Sequence, residues 1–437
     1  MSKKLIIPAL LVLGVWTICL CQTPQEKAKA LFDAVQEGNL KQVLALLDGG
    51  IDVNCRGAEK FTPLIVAAKY SRLEIARALC DRGANVNAVA DYNDFSGERG
   101  YTPLNCAAWN CDIRMAELLI SRGAAVGQAD QAGFTPLILA AEKGCEALAR
   151  ILVAKGAAIN VASEINDETA LLAAVRGGYL SLADYLISQG ADIKQKSWNA
   201  HSLLIAAVAA GSFEEVRYFI AKGLAVNEPD SFGLRAMHIA ANDRKDRKIL
   251  EYLIEHGGDV SVKDGAGRTP LMHAASEGAI GAVGILISHG AAIDDKDVLD
   301  ETALQLACRG IPDPERGRSS APWEATIKLL LDKGAEVNRQ DDAWRRTALM
   351  DAASHGAPQI IKIFLDRGVP LDVQDVSGQT ALMYAAWRNR IEVIKLLADK
   401  GANLNLKDTE GKTALAIAKV AGSTEAYVLL TSLGAKE

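Results

Sequence analysis

Aromatic residues make up only 5% of this 437-residue chain, and its six histidines do not cluster. No H-E-x-x-H, G-x-S-x-G, Walker phosphate loop or strand-linked G-x-G-x-x-G is present, so the usual signatures of zinc, serine and nucleotide chemistry are missing. Gly265-Ala266-Gly267 reads as a hairpin turn rather than a phosphate cradle. The absence of C-x-x-C excludes zinc-finger and thioredoxin-type readings. No run of Lys or Arg occurs, and the net charge of −6 argues against a nucleic-acid partner. His238 and His273 each follow a Met within the same short phrase. His256 and His289 precede glycines, where an imidazole meets the last carbonyls of a helix. Asp294-Asp295 and Asp341-Asp342 fall in polar turns and read as solvated. No catalytic residue, cofactor or metal site is expected.

With 49% hydrophobic and 23% charged residues, the chain has the composition of a folded protein rather than a disordered one. Its start is different in kind. Met1-Ser2-Lys3-Lys4 is basic, Leu5 to Leu20 is uncharged and apolar, and Gln22-Thr23-Pro24-Gln25 is polar, the three-part layout of a secretory leader. Cys19 and Cys21 can serve as the small residues of an ordinary cleavage site. Alternatively, Ile18-Cys19-Leu20-Cys21 is a loose lipobox with Cys21 lipidated, although Leu20 stands where Gly, Ala or Ser is preferred. A retained leader acting as an anchor is the third reading. The protein is therefore expected outside the cytoplasm, periplasmic or secreted, with membrane attachment only through Cys21 or that leader. The lack of any N-x-Ser/Thr sequon leans towards a bacterial setting. Of the later cysteines, Cys80, Cys106 and Cys308 read as small buried hydrophobes. Cys111 and Cys145 fall in turns of consecutive units and could approach one another.

One phrase recurs eleven times at intervals near 33 residues. It reads T-P-L-I-V-A-A from Thr62, T-P-L-N-C-A-A from Thr102, T-P-L-I-L-A-A from Thr135 and T-P-L-M-H-A-A from Thr269, with variants at Thr169, Ser202, Arg235, Thr302, Thr347, Thr380 and Thr413. A twelfth unit, A-L-F-D-A-V from Ala30, lacks the polar turn. Such a period means supersecondary units stacked in a row, each burying its apolar face against its neighbours. In the unit from Phe61, Thr62 can cap a helix and Pro63 suits its first turn. A turn near Tyr70-Ser71 leads to a second helix over Leu73–Asp81, ended by Gly83 in the left-handed position. A closing phrase follows, G-I-D-V-N at Gly50, G-A-A-I-N at Gly156 and G-A-N-L-N at Gly401.

Together these halves resemble the ankyrin repeat, from about residue 25 to the end. The resemblance implies an all-α ankyrin-repeat solenoid of helix–turn–helix units joined by projecting hairpin loops, with a concave face. The repeats at Ser202 and Arg235 lack the Thr and should be softer. Extra residues enlarge the hairpin from Asp91, and a longer insertion follows Ile311. The expected organisation is a leader at 1–21, repeats over 22–310, an inserted exposed loop at 311–322, and the remaining repeats with a C-terminal cap over 323–437.

The family's partners usually meet hairpin tips and the exposed side of the first helices. Phe61, Tyr70, Tyr101, Trp109 and Phe134 fall at those offsets, beside Tyr92 and Phe95 of the enlarged hairpin, and exposed aromatic clusters suit contact surfaces. Packing between adjacent hairpins is the competing role, above all for Phe61, Tyr101 and Phe134. A second cluster comprises Trp344, Arg345, Arg346, Trp387 and Arg388, near Trp323. The expectation is a monomeric, exported, non-enzymatic protein that binds a protein partner through its concave face and hairpin tips. A lipoprotein scaffold of the envelope and an unrecognised enzyme are the alternatives.

Overall fold

The computed structural model describes residues 24–57, 60–90, 101–197, 201–242, 247–313 and 319–437. Among these are twenty-four helices and no strand, the only β feature being an isolated bridge between Gln340 and Thr347. The chain forms two compact units, Met1–Trp198 and Asn199–Glu437. The leader, Cys21 and the hairpin from Asp91 with Tyr92 and Phe95 lie outside the described residues.

Within each unit the phrase becomes a pair of short helices. Thr62 Oγ1 accepts the N–H of Ile65 at 3.4 Å, and helix Pro63–Lys69 follows with proline in its first turn. Leu64, Ala67 and Ala68 are fully buried, because alanines let the next first helix, Pro103–Trp109, approach closely. The second helix, Leu73–Asp81, turns Ile75, Ala76 and Leu79 inward, and full burial of one such Leu or Ile contributes roughly 1.5–3 kcal/mol. Gly83 follows at φ +84°, a conformation that L side chains rarely adopt. The same arrangement repeats through Ala414–Ala421 and Thr424–Ser432 in the second unit.

Two polar devices join neighbouring repeats. Asn54 Oδ1 accepts the N–H of Asn85 at 2.7 Å while its amide donates to Gly83 O, thus reading the backbone of the following repeat. Asn87, Asn160 and Asn227 do the same one repeat further on, against Ala125, Asp192 and Asp259. Hairpin aspartates act locally. Asp130, Asp230, Asp264, Asp297, Asp375 and Asp408 each accept two backbone N–H groups across their own turn. Asp341 works similarly, taking the N–H of Trp344 at 2.6 Å, and it is 1% exposed. The solvated reading of Asp341 is therefore corrected: the turn folds over its carboxylate. Asp294 does remain exposed, accepting the N–H of Glu336.

The units without Thr solve the cap differently. Ser202 Oγ accepts from Ile205 N at 3.3 Å and starts the eight-residue helix Leu203–Ala210. Arg235 has no hydroxyl, and its helix, Ala236–Ala240, is only five residues long. There His238 Nδ1 accepts the Arg235 N–H at 3.0 Å, while the guanidinium donates to Asn227, Gly233 and Lys263 carbonyls. Around the insertion, Ile311 is buried, and Ala321 and Pro322 already belong to helix Ala321–Asp332. The expectation of an exposed loop over 311–322 is corrected at its ends, since Ile311 has a core to fill and Pro322 fits a first helical turn, while residues 314–318 lie outside the described residues.

Candidate functional site

The second unit carries an open cavity of about 1330 Å³. Its walls come from the ends of first helices, the residues just ahead of each Thr, and the flanks of the insertion. Arg268, Arg309, Arg346, Arg388 and Arg390 line it together with Trp323, Tyr384 and Trp387. Trp323 is fixed by an indole N–H donated to Ser276 O at 2.9 Å. Gly310 makes room for that approach, because a Cβ there would fall 2.0 Å from the same carbonyl. Arg346 lies over the Tyr384 ring at 4.6 Å, and Arg388 over Trp387 at 4.4 Å. Trp387 is 48% exposed.

Beneath the guanidinium groups lies a layer of buried carboxylates. Asp351 pairs with Arg346 at 3.0 Å and stands 3.8 Å from Arg309, which also grips Glu301. Asp297 holds Arg268 at 3.3 Å, and Asp313 holds Arg390 at 3.2 Å. Side chains of Glu301 and Asp351 are 0% and 2% exposed, whereas those of Arg309 and Arg346 are 35% and 23% exposed. The five arginines therefore line the cavity, with Glu301 and Asp297 outside its lining and Asp351 almost wholly buried, while Asp313 and Glu277 share the lining with them. Burial raises the carboxyl of Asp351, opposed by Arg346 and Arg309, and it raises Glu301 against Arg309. Asp351 Oδ2 is buried within this layer without a hydrogen-bond partner, 3.8 Å from the Arg309 guanidinium. Burial and the hydrogen bond to Asp375 raise the Tyr384 hydroxyl well above its ordinary 10.0.

Of the second predicted cluster, Trp323, Arg346, Trp387 and Arg388 meet at this cavity. Trp344, 57% exposed, and Arg345 stand on a hairpin outside its lining. Sequence reasoning missed Arg268, Arg309, Asp351, Tyr384 and Arg390. Their signal was their place in the phrase: Arg268 and Arg346 immediately precede Thr, and Asp351 and Tyr384 each stand four residues after one.

The first unit holds a smaller cavity of about 780 Å³, lined by Phe32, Phe61, Val66, Lys69 and Tyr70 among others. Phe61 stacks on Tyr101 with centroids 6.1 Å apart, and Lys69 approaches both rings. Phe61 and Phe134 are 5% and 3% exposed, so these two pack internally and offer little contact surface. The cause is their position: a side chain just ahead of Thr turns into the gap between adjacent hairpins. Tyr70 is 41% exposed, Tyr101 and Trp109 are half-buried, and Lys143 sits 3.4 Å over the Trp109 ring.

His238 Nε2 donates to Arg268 O at 3.1 Å while Nδ1 accepts, so the ring is neutral; burial and the neighbouring His273 lower it to about 4. His273 Nε2 meets Asp264 at 2.8 Å, and His256 and His289 bond the carbonyls of Tyr252 and Ile285. Cys111 and Cys145 form a disulfide with Cα atoms 5.7 Å apart, tying consecutive turns of the first unit. Cys106 and Cys308 are buried, and burial pushes the Cys106 thiol up to about 12. Cys80 is only half-buried, because it lies on the flank of its second helix. Among the described residues, no group of three or more His, Cys, Asp or Glu could hold a metal ion. No helix among them is long and apolar enough to cross a membrane.

Each unit is a row of near-identical helix pairs whose variable positions face outward, the arrangement of a repeat scaffold. Overlapping segments from residue 13 to residue 313 and from 323 to 436 match the family described as ankyrin repeats (3 copies), and the chain belongs to the ankyrin-repeat family. It is 34% identical over 104 residues to "Ankyrin repeat, SAM and basic leucine zipper domain-containing protein 1" of Mustela putorius furo, covering 23% of this chain and 21% of that protein. It is 36% identical over 101 residues to "Putative E3 ubiquitin-protein ligase XBAT35" of Arabidopsis thaliana, covering 23% and 21%. A match to the "Transient receptor potential cation channel subfamily A member 1 homolog" of Caenorhabditis elegans is 29% identical over 154 residues, covering 35% and 11%. The chain thus spans about a fifth or less of the length of these relatives. Among solved structures, the human ASB11 ankyrin repeat domain matches 53% of this chain and 98% of its own, at 25% identity and TM-score 0.45. Ankyrin repeats generally bind protein partners, and the family is generally non-enzymatic.

Proposed function

We propose that this chain is an exported, non-enzymatic scaffold that captures a protein partner as a monomer. The principal contact is the arginine- and tryptophan-lined groove of the second unit, and Tyr70 and Trp109 of the first unit offer a further one. The observation that carries this reading is the groove itself: large, open, and rimmed by Trp387 and Arg388, residue types that dominate protein contacts. A surface fixed by stacked helices and buried ion pairs loses little freedom when a partner arrives. Export is supported by the leader pattern of residues 1–21 and by the Cys111–Cys145 bond, which suits an oxidising compartment. Affinity capture from the native envelope, followed by mass spectrometry, tests the reading. Capture of one partner, lost when Trp387 and Arg388 are both replaced by Ala with helical content unchanged, is the expected result. Undiminished capture would move the contact elsewhere. Incorporation of labelled palmitate at Cys21 would turn the soluble scaffold into a lipid-anchored one.

A further inference from the structure

The groove has two chemically distinct layers, and they bear on what fits it. Glu301, Asp297 and Asp351 are buried and hold their arginines from behind, so much of their charge is spent inside the wall. Arg309 and Arg346 keep part of their guanidinium surface on the cavity side. Arg388 differs from both. Its guanidinium lies on the Trp387 ring, and among the described residues no carboxylate stands within ion-pair distance of it. Of the lining carboxylates, Asp313 is engaged by Arg390, which leaves Glu277 as the remaining surface anion.

Resting on the protein-binding reading above, we propose that the groove takes an extended acidic segment of a protein partner. A carboxylate of that segment pairs with Arg388, and a second meets the outward N–H groups of Arg309 and Arg346. The apolar stems of the segment lie against Trp387 and Trp323. The carboxylates behind the wall act as positioning residues: they fix the guanidinium planes before the ligand arrives, so that little rotamer freedom is lost on binding.

The test uses the whole chain and three fluorescein-labelled probes of similar charge magnitude: a decapeptide alternating Glu and Ala, one of opposite sign alternating Lys and Ala, and a short oligothymidylate. Fluorescence anisotropy at low salt should show the acidic peptide bound most tightly, with affinity falling as salt is raised. Arg388→Glu should weaken that peptide at least about tenfold, Arg388→Lys less, while the lysine peptide does not gain from wild-type arginine. Arg388 is exposed, so circular dichroism should show both variants folded. Equal binding of acidic and basic peptides, an Arg388→Glu variant that binds as before, or a preference for the oligothymidylate would each overturn the proposal. Loss of these probe results with partner capture intact would sink the acidic-segment assignment and leave the scaffold reading standing.

Discussion

The same phrase builds two surfaces of opposite chemistry. In the first unit Phe61, Tyr101 and Phe134 stand ahead of three of the four Thr residues, Glu168 ahead of the fourth, and the cavity there sets Phe32, Phe61, Val66 and Tyr70 among charged residues such as Lys29, Asp33 and Lys69. In the second unit the residue ahead of Thr is polar or charged each time, Arg268, Glu301, Arg346, Gln379 and Lys412, and in three of these five repeats a polar residue, His273, Asp351 or Tyr384, stands four residues past Thr. Leu and Ala of the phrase are buried in both units, so the scaffold is indifferent to what stands between them. Stability and recognition are thereby written at different positions of one repeat. The two units also differ in reinforcement: the first adds a covalent bond between turns to its Glu168–Arg176 pair, and the second gathers several buried carboxylates beneath its arginines.

The comparison can be broken most forcefully at Asp351. Its replacement by Ala leaves Arg346 and part of Arg309 without their anion, and a loss of about 3 kcal/mol is expected in denaturant unfolding of the second unit. Asp351→Asn should cost less. Next in size, Cys145→Ser opens a link between residues 34 apart in sequence, and removal of such a link is expected to cost about 3 kcal/mol in the first unit. Reduction by dithiothreitol should reproduce that loss in the wild type and change nothing in the variant.

A third experiment sharpens the role of burial. Glu215 is wholly buried near the start of helix Phe213–Ala221, and burial raises it from 4.5 to about 7, opposed by the Ser212 hydroxyl. A raised carboxyl favours the protonated folded form. Its contribution is full below pH 4.5 and is lost as pH rises through about 7. Glu215→Gln should therefore match wild type near pH 4.5 and exceed it by roughly 2 kcal/mol at pH 8, as read by urea midpoints. The smallest effect falls on the caps: Thr62→Ala and Thr269→Ala should each cost about 1 kcal/mol, equally in the two units. Unequal losses would show that the shared phrase is not energetically equivalent.

Much of the fold was legible because its causes are local. The helix over Leu73–Asp81, the Thr62 cap and the left-handed Gly83 follow from residue types within one repeat. The groove was half legible. Trp387 and Arg388 are conspicuous in a chain poor in aromatics, yet Arg309 and Asp351 join one layer only when neighbouring repeats meet. Asp341 illustrates the same limit, since a polar turn residue reads as hydrated until its loop closes on it. Phe61 and Phe134 failed in the opposite direction: aromatic character suggested contact, and the gap between hairpins absorbed it.

The asparagine that reads the next repeat's backbone has a mechanical corollary. Asn54, Asn87, Asn160 and Asn227 bind main-chain groups rather than particular side chains, so the clasp is blind to the identity of its neighbour. Modules joined this way can be duplicated, deleted or shuffled within a unit without redesigning the joint. Pulled from one end, such a unit should peel away one module after another in steps of comparable force.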